Sequence, residues 1–362
     1  MFEKNLKYYR LKKGFSKKEL ATLAGLTPMA ISNYESGNRK PDMDILKRLA
    51  EVLEVRVSDF LKVRNEKLDF CHGEFRKNSS MSQKEQEFVR EYAEEYLGRF
   101  FTVIEILGGE VLADAPVCHG LKLGDNPEED GIAMRRYLNI PSAGPVPDIA
   151  YTLENKGILL LEFKGSSDKF SGINGTVNDR PYVMYNAFMS PERNRSTIAH
   201  ELAHLLFRWP EDMSEKEVEE RATAISGAFL FPTEDAVREL GIRRSFISKD
   251  MEIICREYGI SMMLLTKRAQ LAGIVTDSAA KEFYMRASSM GWRKNEPVRI
   301  QAEQPMLFKQ LVYRAINEEE ISMQRGAELL GVSYGEIVNE CCFNEGIEDG
   351  VYQQRNLILM NT

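Results

Sequence analysis

The sequence predicts a mainly helical protein, α+β overall, with helical regions at both ends and a small sheet in the middle. Three observations predict it. Apolar residues recur at helical spacing over most of the 362 residues. Two central runs, 157–163 (Gly-Ile-Leu-Leu-Leu-Glu-Phe) and 181–185 (Pro-Tyr-Val-Met-Tyr), read as strands. Helix-start signals recur, as at Ser16, where Glu19 stands three residues on and makes a capping box. The length suits two or three domains. Composition and pattern divide it into a five-helix N-terminal domain at 1–62, a linker and connecting helix at 63–110, an α+β domain at 111–300 and a helical C-terminal region at 301–362.

In the first region Leu6, Tyr9 and Leu11 outline one helix, and Leu20, Ala21, Leu23 and Ala24 a second. Gly25 breaks that helix, Thr27 caps the next, and Pro28 suits its first turn. Gly37 to Pro41 is a loop, and Ile45, Leu46, Leu49, Ala50 and Leu53 form an amphipathic stripe. Residues 63–80 are polar and read as linker, followed by a long helix over 82–107. Residues 113–148 are irregular apart from a short helix near 128–138. Gly172, Gly175 and Asn178-Asp179 read as turns between the two strands. Helices are expected at 195–208, 215–230, 234–240, 248–257 and 261–271, and again from Gln304 to Cys342.

Charge is unevenly distributed. Residues 1–62 hold 13 Lys and Arg against 8 Asp and Glu, a net +5, whereas the whole chain is −7, so the remaining 300 residues carry −12. A basic end on an acidic body points to a polyanion as the ligand of the first domain alone. No apolar run reaches the roughly 18–20 residues of a membrane span, and the N-terminus has no apolar core of a secretory signal. The five cysteines (Cys71, Cys118, Cys255, Cys341, Cys342) include no C-x-x-C pair. They exclude a disulfide framework and suit a reducing cytoplasm, the expected location.

Helix two (17–24), the turn at Gly25-Leu26 and helix three (27–35) have the spacing of a helix-turn-helix, whose second helix enters the DNA major groove. Thr27, Pro28, Met29, Ser32 and Asn33 are then the base-edge candidates. Asn33 suits adenine and the Thr27 methyl suits thymine. Lys17, Arg39 and Lys40 suit phosphates, which orient without reading sequence. The spacing alone also fits a small helical interaction module. The stretch from Lys17 through Asn33-Tyr34-Glu35-Ser36-Gly37 to Pro41 is more specific, and it resembles the Xre/Cro-like repressor family. That resemblance implies a lambda-repressor-like fold and operator binding to double-stranded DNA, usually as a homodimer. Lys17 stands where the family often has glutamine.

His200-Glu201-Leu202-Ala203-His204 places two imidazoles at i and i+4 on one helix face, which lets both bind one Zn²⁺. Glu201, beside the first imidazole, is placed to take a proton from water. With 4 histidines in 362 residues, such a motif is expected by chance only roughly 0.004 times. A catalytic zinc needs a third protein ligand, and on the next helix Glu217, Glu219 and Glu220 are all open to the role. An oxyanion donor is also open among Tyr182, Tyr185 and Arg195, with Arg195 also readable as a structural ion-pair residue.

The stretch Arg195 to Leu206, followed by Glu219-x-x-Ala222-x-x-Ile225-Ser226-x-x-Phe229-Leu230-Phe231-Pro232, resembles the ImmA/IrrE metallopeptidase family. The resemblance implies a zincin-like domain of gluzincin type with Glu219 as third ligand beside His200 and His204, Zn²⁺ as cofactor and Glu201 as the catalytic base. The chain departs from the family at Ser196, Ala203 and Thr223, where phenylalanine, glycine and asparagine are usual. Two further segments, 247–269 and 321–333, are similar to the family's helical extension. The expected function is therefore a DNA-binding transcriptional regulator with a zinc metallo-endopeptidase domain. Its expected substrate is a repressor or antitoxin-like partner protein. The alternative is a transcription factor or antitoxin-like regulator whose zinc domain is a non-proteolytic sensor or partner-binding module. His72 and His119 read as loop or surface residues, Trp209 and Trp292 as core, and the 321–335 helix pair as a packing or partner-binding element.

Overall fold

The structure is a computed structural model that describes residues 1–65, 67–73, 81–165, 169–292 and 295–342. The chain forms two compact units, one of Met1–Gly98 with Leu112–Met306, the other of Arg99–Val111 with the chain from Leu307 onward.

The larger unit opens with α1 (Phe2–Lys12), α2 (Lys17–Leu23), α3 (Pro28–Glu35) and α4 (Met43–Leu53), then a 3₁₀ turn at Val57–Leu61. The fifth expected helix is thus a single tight turn. Its Phe60 is fully buried with Leu6, Leu20, Ile31 and Leu49, so that one residue closes the small core. Local rules place the helix starts. Ser16 and Glu19 form the reciprocal capping box, Thr27 Oγ1 accepts from Ala30 N at 3.2 Å, and Asp42 caps α4 at 2.8 Å. Gly25 takes φ +64° in the turn between α2 and α3, where a side chain would be strained. A buried ion pair fixes α3 on α1, with the Arg10 guanidinium forked onto the Glu35 carboxylate.

β1 (Phe70–His72) follows, inside the stretch that polarity marks as linker, and then α5 (Gln83–Ile106). Lys7 bridges Glu87 and Glu91 of α5 at 2.8 Å each, and Arg64 Nε donates to Asn5 Oδ1 at 2.7 Å. The first domain is therefore anchored to α5 within this unit.

The remaining elements of the larger unit are β2 (Leu121–Lys122), α6 (Pro127–Tyr137), α7 (Ile149–Glu154), β3 (Leu159–Phe163), β4 (Gly172–Val177), β5 (Arg180–Asn186), α8 (Pro191–Leu206), β6 (Phe207–Arg208), α9 (Glu215–Leu230), α10 (Thr233–Leu240), α11 (Met251–Tyr258), α12 (Met262–Leu271) and α13 (Asp277–Ser289). The main sheet has the order β1-β4-β5-β3, with β3 and β5 parallel and the other neighbours antiparallel. β2 and β6 form a separate parallel pair.

The structure corrects the reading of 172–179. Gly172 and Gly175 lie inside a strand, and only Asn178 and Asp179 make the turn, with φ of 48° and 62°. Two consecutive left-handed residues are the two-residue hairpin geometry that Asn and Asp tolerate. The glycines serve close packing instead. A Cβ at Gly172 would sit 2.5 Å from Thr197 Cγ2, on α8.

The core under α8 and α9 is apolar. Ala199, Leu202, Ala203 and Leu206 of α8 and Ala222, Ile225 and Phe229 of α9 are fully buried. α6 crosses α9 closely at Gly131, where a Cβ would lie 2.6 Å from Ala228 Cβ. Arg135, fully buried on α6, donates to the carbonyls of Phe229 (2.6 Å), Pro141 and Gly144 (2.9 Å each). The Phe229 bond holds the C-terminal end of α9, where helix carbonyls lack partners of their own, and the other two tie the segment after α6 to the Arg135 guanidinium. Burial pulls its pKa down to about 10.

In the second unit the C-terminal part of α5 packs with α14 (Leu307–Asn317), α15 (Met323–Leu330) and α16 (Tyr334–Cys341). Arg99 donates to the Leu329 carbonyl, the Phe100 and Phe308 rings meet at 5.0 Å, and Gly331 ends α15 at φ +70°. Among the described residues, no helix is long and apolar enough to cross a membrane.

Candidate functional site

Two helices bring His200, His204 and Glu219 together. Ser190 precedes α8 and Pro191 occupies its first turn. The apolar face of α8 is buried, which turns His200, Glu201 and His204 away from the core. α9 starts at a capping box in which Ser214 and Glu217 bond reciprocally, so Glu217 serves as a cap. Glu220 is exposed and lies 3.8 Å from Lys216. Glu219 instead faces α8. Its Oε2 lies 3.3 Å from His200 Nε2 and its Oε1 3.5 Å from His204 Nε2, and the two imidazole Nε2 atoms are 3.1 Å apart.

These three separations test the fit to a metal. Ligands about 2.0–2.1 Å from a tetrahedral ion lie roughly 3.3–3.4 Å from one another. Each imidazole nitrogen meets a different Glu219 oxygen, the separations bracket that edge length, and the three residues offer the donor set of one divalent ion, with no other group of three found among the described residues. Burial opposes ionisation of Glu219. The His200 and His204 hydrogen bonds, and then their charges, outweigh it and hold the carboxyl well below its usual range.

Three neighbours orient this group. Thr223 Oγ1 lies 3.3 Å from His200 Nδ1, so the residue where the family usually has asparagine still meets that ring. Trp209 Nε1 donates to the His204 carbonyl at 3.3 Å, with its ring 5.6 Å from the imidazole. Asn174 Nδ2, on β4, donates to Glu201 Oε2 at 2.7 Å. The sequence left Asn174 unnoticed because it sits between two glycines that read as a turn. The oxyanion candidates have other partners. The Tyr182 hydroxyl meets His72 Nδ1 at 2.5 Å, the Tyr185 hydroxyl meets the Glu303 carbonyl at 3.4 Å, and Arg195 is buried against the Glu303 carboxylate and the Val146 carbonyl. His72 is part of the sheet and partly buried, whereas His119 is exposed, as its loop position suggests.

The first domain presents a different surface. Lys17, Thr27, Pro28, Met29, Arg39 and Lys40 are exposed, and Ser32 and Asn33 are half-buried on α3. Met29 is 69% exposed, far more than packing would leave a methionine. Lys17 Nζ bridges α2 to α3, 3.3 Å from Ser32 Oγ and 3.7 Å from Glu35.

With both sites in view, comparison with known proteins agrees with each. Residues 6–60 match the helix-turn-helix family, and residues 153–270 match the IrrE N-terminal-like domain, a peptidase family. The chain joins a helix-turn-helix domain to an IrrE N-terminal-like domain. A relative from Bacillus subtilis (strain 168), described as an SPbeta prophage-derived uncharacterized HTH-type transcriptional regulator, is 33% identical over 69 residues, or 19% of this chain. The match spans 64% of that relative's length. The helix-turn-helix match points to DNA binding by the first domain, and the second domain is metallopeptidase-like.

Proposed function

We propose that this regulator is a zinc-dependent endopeptidase that cuts a repressor or antitoxin-like partner protein, and that its first domain holds it at a DNA operator as a homodimer. The observation that carries the reading is the spacing of His200, His204 and Glu219, each pair separated by 3.1–3.5 Å, with Glu201 beside them. Zinc held by these three residues supplies a Lewis acid that polarises a carbonyl and lowers the pKa of water.

The chain's own residues do the rest. Asn174 fixes Glu201 through Oε2, which leaves Oε1 to accept a proton from the attacking water. As the carbonyl carbon gains the water oxygen and the carbon–nitrogen bond breaks, Glu201 returns that proton to the leaving amine. Thr223 and Trp209 keep the two imidazole-bearing turns in place. On DNA, Asn33 and Thr27 read base edges with Pro28, Met29 and Ser32 beside them, while Lys17, Arg39 and Lys40 contact phosphates.

Comparison of new protein N-termini in cells carrying the wild type or Glu201→Gln tests the proposal. Termini generated by the wild type and lost in the variant, from a protein with its own DNA-binding domain, support it. Identical sets of termini overturn it and leave a regulator with a non-proteolytic metal module.

A further inference from the structure

The edge of β4 leads directly to the candidate site. Moving from Val177 toward Gly172, the strand passes Asn174, which bonds Glu201, and ends where a Cβ on Gly172 would lie 3.2 Å from Glu201 Cγ. An extended peptide that presents a bond to Glu201 along this strand must pair with the outward backbone groups of β4. Those groups already have a partner. β1 pairs antiparallel with β4 in the register Phe70↔Val177, Cys71↔Thr176, His72↔Gly175. The ladder extends at both ends, with Gly73 N to Asn174 O at 2.8 Å and Asn178 N to Asp69 O at 2.9 Å.

The pairing is built into side chains as well as backbone. A Cβ at Gly175 would lie 2.6 Å from the Cys71 carbonyl and 2.6 Å from the Tyr182 hydroxyl, and one at Gly73 2.8 Å from the Asn174 carbonyl. Both glycines allow the two strands to close. His72 clamps the strand, with Nδ1 on the Tyr182 hydroxyl and Nε2 3.2 Å from Glu94 of α5. Asp69 N adds a bond to the Asn178 side chain at 2.8 Å.

We propose that residues 69–73 are an intramolecular occupant of the peptide-binding edge, so that a substrate pairs with β4 only after β1 leaves it. This rests on the peptidase reading of the site. The occupant is tethered at both ends, and a tether raises its effective concentration to about the millimolar range. An incoming chain of similar intrinsic affinity therefore competes poorly until the tether is disturbed. The segment that enters β1 is held to the first domain through Arg64 and Asn5, which makes that domain's position the natural control of release.

Two variants of the full chain, loaded with zinc, test this. Backbone groups of residues 69, 71 and 73 face β4, so Cys71→Pro removes a ladder donor without touching β4 or the site. The Phe70↔Val177 pair is of the non-bonded type, with Cα atoms about 4.5 Å apart, a separation that accepts a disulfide. Phe70→Cys with Val177→Cys, in a Cys71→Ser background, locks β1 when oxidised, and its reduced form is its own control. The probe is an acetylated tetrapeptide hydroxamate, whose binding is read by calorimetry. Hydrogen exchange of the Thr176 and Asn178 amides reports whether β1 is released.

The expected result is binding at least tenfold tighter to Cys71→Pro than to the wild type, and at least tenfold weaker to the oxidised lock than to its reduced form. Equal affinity in all forms, with β1 release seen by exchange, overturns the proposal and leaves the metal-site reading standing. Zinc-loaded protein that fails to bind the hydroxamate in every form overturns both.

Discussion

The helix pairs α2–α3 and α8–α9 use the same local devices for opposite ends. Each has a capping box, Ser16 with Glu19 in the first and Ser214 with Glu217 in the second. In the first pair the polar residues point outward, and the buried carboxylate of Glu35 on α3 pairs with Arg10 of α1, which fixes the angle of α3. In the second pair His200, His204 and Glu219 turn toward one another across the interface. A surface whose polar groups face outward states which class of ligand it meets, but its geometry does not choose among members of that class. A cluster whose donors face inward sets the size and charge of its ligand, because a polar group removed from water must be matched.

Breaking the inward cluster has the largest expected effect. His200→Ala lowers the metal content from about one ion per chain to near zero, measured by elemental analysis of the purified protein. DNA affinity of the same variant stays at the wild-type value if the two sites are energetically separate. Thr223→Ala lowers metal affinity by about 10–100-fold, read by competition with a chelator. A fold change near one would show that its contact with His200 does not orient the ring.

The outward surface breaks differently. Glu35→Ala leaves Arg10 buried without its carboxylate and costs about 3–5 kcal/mol, measured by denaturant unfolding. It is expected to abolish DNA binding while zinc content is retained. Asn33→Ala costs about 1–3 kcal/mol on the preferred operator and little on unrelated DNA, so the ratio of the two affinities is the measurement. Smallest is Lys40→Ala, which weakens binding to all sequences and reduces the slope of log affinity against log salt by about one. Unchanged salt dependence would remove Lys40 from the phosphate contacts.

The inward cluster was half legible in the sequence. Residues i and i+4 on a helix are neighbours by geometry alone, so His200 and His204 announce themselves. Glu219 does not, because three carboxylates within four residues look alike until α9 is docked on α8. Only resemblance separated them. The sheet was less legible still. Gly172 and Gly175 carry no strand preference, and their place in β4 is set by Thr197 and Cys71, residues distant in sequence. β1 is only three residues long, too short for alternation to show, and it lies in polar surroundings. The helices of the first domain were readable almost to the residue, because Ser16, Thr27, Pro28 and Gly25 act on their immediate neighbours. Its last element was not, since one buried Phe60 suffices where a helix was expected.

The pairing of β1 with β4 also decides how the protein can be divided. A fragment that begins at residue 81 keeps α8 and α9 but strips β4 of its neighbour, and so presents a bare row of amides and carbonyls. Such an edge pairs readily with another copy of itself. The peptidase-like domain produced alone in that way is expected to self-associate, whereas one that starts before Asp69 carries its own strand and stays monodisperse in light scattering.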